Sequence, residues 1–119
     1  MGLQVSIRRV AGVAIVDLQG RATLGRDNES FGRCLRKLID EGERKLLLNL
    51  AGLTQLDSSS LSTLSRAYVS ITRQGGSLKL LNPRGSVKLV LRTLHLDTVI
   101  AIFEDEAEAV ASFSKAASA

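Results

Sequence analysis

The chain has 119 residues, 45% of them apolar and 24% charged, with a formal net charge of +4. That length supports one domain with one modest core, and the apolar content excludes a disordered tail. No apolar run reaches the roughly 20 residues needed to cross a bilayer.

The first residues, Met1-Gly2-Leu3-Gln4-Val5, lack the basic-then-apolar shape of a secretory leader. Met1-Gly2 is shared with myristoylation sites, but it carries little weight alone. Two short β patterns follow, Val5–Ile7 and Val13–Leu18, with Ala11-Gly12 between them as the turn of an antiparallel hairpin. A loop is expected over 20–26. Asp27 or Asn28 can cap a helix whose apolar stripe is Phe31, Cys34, Leu35, Leu38 and Ile39, and Gly42 ends it. Cys34 is the single cysteine. It cannot form an internal disulfide, which points to a reducing compartment, and its place in the stripe makes it a small core residue.

Leu46–Leu50 is almost continuously apolar, as expected of a strand covered on both faces. A helix is predicted over 58–73, with Leu61, Leu64, Ala67, Tyr68 and Ile71 on one face and Gly75-Gly76 at its end. Leu78–Leu81 reads as a short strand. Asn82-Pro83 reads as a cap and first-turn proline of a helix carrying Val87, Val90, Leu91 and Leu94. Thr98–Phe103 reads as the last strand. Glu104-Asp105-Glu106 then favours a helix start, with Ala107, Val110, Ala111 and Phe113 facing inward. Alternating strands and helices imply an α/β domain with a mainly parallel sheet.

In such sheets the functional loops gather beyond the carboxyl ends of the strands. The turn Leu56-Asp57-Ser58-Ser59-Ser60-Leu61 stands at that edge, where a buried strand hands over to a helix. A helix start offers free backbone N–H groups and the positive end of the dipole, so a phosphate is tolerated there. One acid and three serines exceed what a cap requires, although capping alone also accounts for Asp and Ser at this place. The two uses are compatible. The loop that follows the second strand can lie on the same rim.

Other chemistries find little support. His95 is the only histidine, and no set of zinc ligands clusters around it. There is no G-x-S-x-G elbow and no phosphate-binding G-x-x-x-x-G-K-[ST] loop. Neither catalysis nor a cofactor or metal is expected. The cations read as scattered along the chain and aromatics make up 3%, so direct nucleic-acid binding is not expected.

The element order, Leu48-Asn49-Leu50, Leu53, Leu56-Asp57-Ser58-Ser59, the Gln74-Gly75-Gly76 helix end and Asn82-Pro83 together resemble the STAS domain family. Within it, the single-domain bacterial anti-sigma-factor antagonists are most similar. The resemblance covers nearly the whole chain, here residues 3–115. It implies a mixed, mostly parallel sheet of about five strands with about four helices. It also implies a cytoplasmic protein-interaction module that regulates transcription without inserting in a membrane. Ser58 would be the phosphoacceptor. The unmodified chain would bind an anti-sigma factor that is also a serine kinase, the phosphorylated chain would release it, and a phosphatase would reset the switch.

By the same resemblance Asp57, Ser59, Ser60, Leu61, Arg21 and Thr23 would meet the partner. Two positions depart from the family pattern. Ser60 stands where glycine is usual. Gly20-Arg21-Ala22-Thr23 replaces an acidic loop of the G-E-L-D type, so that Arg21 or Arg26 could hold a phosphate or pair with an acidic patch. Small STAS proteins also serve as accessory subunits of ABC-type lipid-transport ATPases, which is the alternative implied by the same resemblance.

Overall fold

The computed structural model describes residues 3–22 and 26–118. In chain order it contains β1 (Gln4–Val10), β2 (Val13–Ala22), α1 (Arg26–Asp40), β3 (Lys45–Leu56) and α2 (Ser58–Arg73). There follow β4 (Ser77–Leu81), α3 (Gly85–Thr93), a 3-10 turn over Leu96–Thr98, β5 (Ile102–Phe103) and α4 (Glu106–Ser118). The strands form one sheet in the order β1-β2-β3-β4-β5, with β1 antiparallel to β2 and the remaining pairs parallel.

The β1–β2 turn is the predicted one. Val10 pairs with Val13, and Ala11 and Gly12 both take positive φ, 52° and 81°. That geometry matches the twist of the two strands.

β3 is central and its leucines fill both layers. Leu46, Leu48 and Leu50 pack with α1, α2 and α3 through Leu35, Leu64, Ile71, Val87 and Leu91. Leu47 points to the opposite face, where Val13, Ile15 and Leu81 meet Ala109 and Phe113 of α4. Lys79 also lies on the α4 side. Its ammonium donates to Ser112 Oγ at 2.8 Å and sits 4.6 Å from the Phe113 ring centroid. Burial lowers its pKa from the ordinary lysine value.

Edge strand β1 is fixed to this layer by charge. Arg8 Nε donates to Asp17 Oδ2 at 2.7 Å, and Arg8 Nη2 donates to Glu106 Oε1 at 2.5 Å. Asn49 Nδ2 completes the cluster by donating to Asp17 Oδ1 at 2.7 Å.

Several expected boundaries move. β2 continues through Gly20, Arg21 and Ala22, and β3 continues to Leu56, because the two strands pair to their ends. Asn82 does not cap α3. It sits at φ 56°, while Arg84 occupies the cap position of a helix that begins at Gly85. The run Thr98–Phe103 is mostly not strand. Thr98 closes the 3-10 turn through its hydroxyl bond to His95 O, Ile100 is buried with the α1–α3 core, and only Ile102–Phe103 pair with β4.

In α4 the inward residues are Ala109 and Phe113, with Val110 half-buried and Ala107 and Ala111 exposed. Asp105 caps this helix by accepting from Glu108 N–H at 2.9 Å, which sets the phase of the buried face. Asp27 and Asn28 do not precede α1 as expected of caps, because the helix already begins at Arg26 and both stand in its first turn; their side chains lie outside those described. Cys34 is a half-buried free thiol against the core, and burial pushes its pKa up.

The far end of α2 is tightly clamped. A Cβ on Gly76 would lie 2.6 Å from Arg44 O and 2.7 Å from Ile71 Cγ1. Only a residue without a side chain allows this approach.

Candidate functional site

β3 ends at Leu56, and Asp57 turns the chain with extended backbone, φ −94° and ψ 178°. Its carboxylate accepts the Ser60 N–H at 2.9 Å, and its carbonyl accepts the Leu61 N–H at 2.9 Å. These are the bonds of an N-cap, which satisfy donors that a helix start otherwise leaves open. The helix phase then decides what each serine does. Ser58 is exposed, Ser59 is half-buried and Ser60 is fully buried. The Ser59 carbonyl accepts from Thr63 Oγ1 at 3.1 Å, one turn on.

Two of the expected partner contacts therefore face inward. Ser60 has no exposed surface and Leu61 is 7% exposed. Leu61 belongs to the core beneath the helix. The cap geometry aims the third serine at the sheet, so it cannot present its hydroxyl to a partner in this conformation. Asp57 and Ser59 are half-buried and keep an outward component.

The end of β2 lies beside this turn. Arg21 pairs in register with Gln55, and Ala22 with Leu56, immediately before Asp57. Arg21 is exposed. The β2 exit and the α2 start thus share one rim. Thr23 lies outside the described residues, and so does the side chain of Arg26.

The rim has a third component that the sequence reading missed. Thr54 Oγ1 donates to Gly20 O at 2.9 Å, and Ser86 Oγ donates to Thr54 O at 3.1 Å. Together they tie the ends of β2 and β3 to the start of α3. Arg84 and Ser86 are exposed there. Both follow β4, and the rule that loops beyond parallel strands gather at one edge could have selected them.

Along α2, Ser58 opens onto a groove of about 500 Å³ shared with Ser62, Ser65, Arg66, Leu94 and Leu96. Leu94 is 54% exposed, so the groove has an apolar wall facing solvent. The site therefore offers an accessible hydroxyl at a helix start, a carboxylate one residue before it, and an adjoining surface with polar and apolar parts. Among the described residues no group of three or more His, Cys, Asp or Glu could hold a metal ion. No helix among them is long and apolar enough to cross a membrane.

Comparison with known proteins gives a consistent result. A Thermotoga maritima protein provisionally named as an anti-sigma factor antagonist is 30% identical over 74 residues, covering 62% of this chain and 66% of the relative. The match thus spans just under two thirds of that relative's length. The solved anti-sigma factor antagonist from Mycobacterium paratuberculosis superposes with a TM-score of 0.82 at 15% identity, covering 95% of each chain. The Bacillus cell fate determinant SpoIIAA in its phosphorylated form superposes with a TM-score of 0.73 at 19% identity, over 92% of this chain and 98% of that one. At those identities the structures establish a shared fold. The family model for the STAS domain matches residues 4–109, which is nearly the whole of the sheet and its helices, and the chain belongs to the STAS domain family.

Proposed function

We propose that this chain is an anti-sigma-factor antagonist controlled by phosphorylation of Ser58. Unmodified, it binds an anti-sigma factor with serine kinase activity and so frees a sigma factor. Phosphorylated, it releases that partner, and a phosphatase restores binding. The chain acts in the cytoplasm as a binding module without catalysis of its own.

The observation that carries this reading is the exposure of Ser58 at the first turn of a helix capped by Asp57, within a STAS domain. A phosphate there adds about −1.5 to −2 charges. The helix start accommodates it through the dipole and backbone N–H groups, so the free protein stays folded. In a complex the same charge stands beside Asp57 in a closed contact. Like charges juxtaposed at an interface cost several kcal/mol, which shifts affinity by orders of magnitude. Arg21 and Arg84 on the rim oppose this effect only weakly, since exposed ion pairs contribute about 0–1 kcal/mol.

The test is affinity capture with Ser58→Ala and Ser58→Asp as baits. The alanine variant should retain an anti-sigma factor that the aspartate variant loses. The captured kinase, given ATP, should then phosphorylate the unsubstituted chain and not Ser58→Ala. Equal retention of the partner by both baits would sink the switch. Capture of a transport ATPase in its place would favour the accessory-subunit role.

A further inference from the structure

The opposite flank of α2 carries a second groove, of about 600 Å³, between that helix and α1. Its walls hold three exposed arginines, Arg33 and Arg36 on α1 and Arg66 on α2. Among the described residues the ion pairs engage Arg8 and Arg9, and none engages these three. One carboxylate, Asp40, lies at the end of the groove. Leu35, Ile39 and Ala67, only 1%, 4% and 8% exposed, belong to the core and close the floor of the groove, so the arginine-bearing walls supply most of its accessible surface.

The charge imbalance extends beyond the groove. From Ser58 to Leu96 the sequence has no Asp or Glu, whereas it has Arg66, Arg73, Lys79, Arg84, Lys88 and Arg92. Four acids, Glu104, Asp105, Glu106 and Glu108, cluster instead at the start of α4, which packs on the other face of the sheet. Among the residues that line the groove, three arginines thus face a single carboxylate, Asp40, so the α1–α2 flank is basic on balance.

The dimensions favour a helical ligand. The lining residues run from Gly32 to Asp40 on α1 and from Thr63 to Ser70 on α2. At about 1.5 Å of rise per residue, each wall is roughly 10–12 Å long, or about two helical turns. Gly32 allows α1 and α2 to approach closely, since an added Cβ would lie 3.2 Å from Thr63 Cγ2. Arginines on both walls of a groove two turns long, over a closed apolar floor, suit a helix that sets a narrow apolar edge on that floor and carboxylates on its flanks. Guanidinium groups recognise carboxylates by paired, charge-assisted hydrogen bonds.

We infer that the α1–α2 groove is a docking surface for an acidic amphipathic helix of a protein partner. It adjoins the groove beside Ser58 through the shared Arg66, and it does not rest on the phosphorylation switch.

The test uses the full chain, isotopically labelled for amide NMR, and a synthetic capped peptide of roughly 14 residues with Leu at i, i+3, i+4 and i+7 flanked by Glu. A scrambled peptide of the same composition and a version with Lys in place of Glu are the controls. Saturable shifts are expected at Gly32, Arg33, Arg36, Thr63 and Ala67. Scrambling should weaken binding about tenfold or more, and the Lys version should not bind.

Arg36→Glu and Arg33→Glu should each weaken binding by about tenfold, with the rest of the amide spectrum unchanged. Ser58→Asp should leave it unaltered. Raising salt from about 0.05 to about 0.5 M should weaken it markedly. Absence of saturable shifts, equal binding of the scrambled peptide, or shifts confined to Ser58 and Leu94 would overturn the inference. So would competition by a short DNA duplex as effective as the peptide, which would make the groove a polyanion site.

Discussion

The Asp57 carboxylate accepts the backbone N–H of Ser60 at 2.9 Å, so the acid next to the candidate phosphoacceptor is already occupied in holding the helix start. Removing it should loosen α2 as well as change the charge of the rim. Asp57→Ala should lower stability by about 1 kcal/mol, and Asp57→Asn, which keeps a capping oxygen, should lower it by less. Urea denaturation of the two variants checks this. Equal losses would mean that the negative charge, and not the cap, is what stabilises.

The three serines should respond differently to a kinase. Ser58 is exposed and Ser60 is fully buried, so fragment mass spectrometry should find a single phosphate on Ser58. In titration calorimetry with the partner, Ser58→Ala should bind, Ser58→Asp should bind more weakly, and the phosphorylated protein should bind weakest because phosphate carries more charge. Tighter binding by the phosphorylated form would reverse the proposed direction of the switch.

A negative charge at Ser60 tests the opposite extreme. Ser60→Asp would bury a carboxylate where the core closes over α2. It should cost more than about 3 kcal/mol and lower the melting temperature before any question of binding arises. A variant as stable as the unsubstituted protein would show that this turn opens readily.

Leu48 tests the sheet. It is completely buried in the central strand, within the core shared with α1, α2 and α3. Leu48→Ala should cost about 2–5 kcal/mol. A loss below about 1 kcal/mol in denaturant titration would contradict that packing.

Acid should loosen the β1–α4 connection. The hydrogen bond from Arg8 lowers the pKa of Asp17 from its ordinary 3.8, with the Asn49 bond assisting and burial opposing. The hydrogen bond from Arg8 likewise lowers Glu106 from its ordinary 4.5. For both carboxylates the folded-state pKa lies below the unfolded one. Their contribution is therefore present above the ordinary values and is lost as pH falls through the depressed ones. The effect is modest because the Arg8 side chain is 40% exposed. Arg8→Met should lower stability at neutral pH and flatten its decline below about pH 4.5. Parallel acid-unfolding curves for the two proteins would exclude this cluster as a source of the acid response.

Much of this fold is written in local pattern. Ala11-Gly12 specified a hairpin because few turns join two strands so closely. The leucines of β3 specified a strand covered on both sides, and the stripe from Leu61 to Ile71 specified α2. The ends of elements were less legible, because pairing partners set them. Nothing near Gly20 signals that β2 continues to Ala22; the matching extension of β3 to Leu56 makes it so. Ile100 looked like strand because it is apolar, yet it is buried from a turn.

In the candidate site, Asp57 and Ser58 were legible as a helix start, whereas the inward aim of Ser60 depended on helix phase. Arg84 and Ser86 were missed because Asn82-Pro83 suggested an earlier start for α3. The arginines, dispersed in sequence, gather on one flank only when α1 and α2 lie side by side.

The clamp at Gly76 gives the two ends of α2 different mutational fates. At the Ser58 end an exposed side chain can change without disturbing the packing, so substitutions there should alter partner choice and leave expression intact. At the Gly76 end even a methyl group collides with Arg44 O, so substitutions should deplete folded protein whatever the partner. A saturation library scored separately for abundance and for binding would therefore separate Ser58 from Gly76. Lineages could vary Ser58 while Gly76 stays fixed.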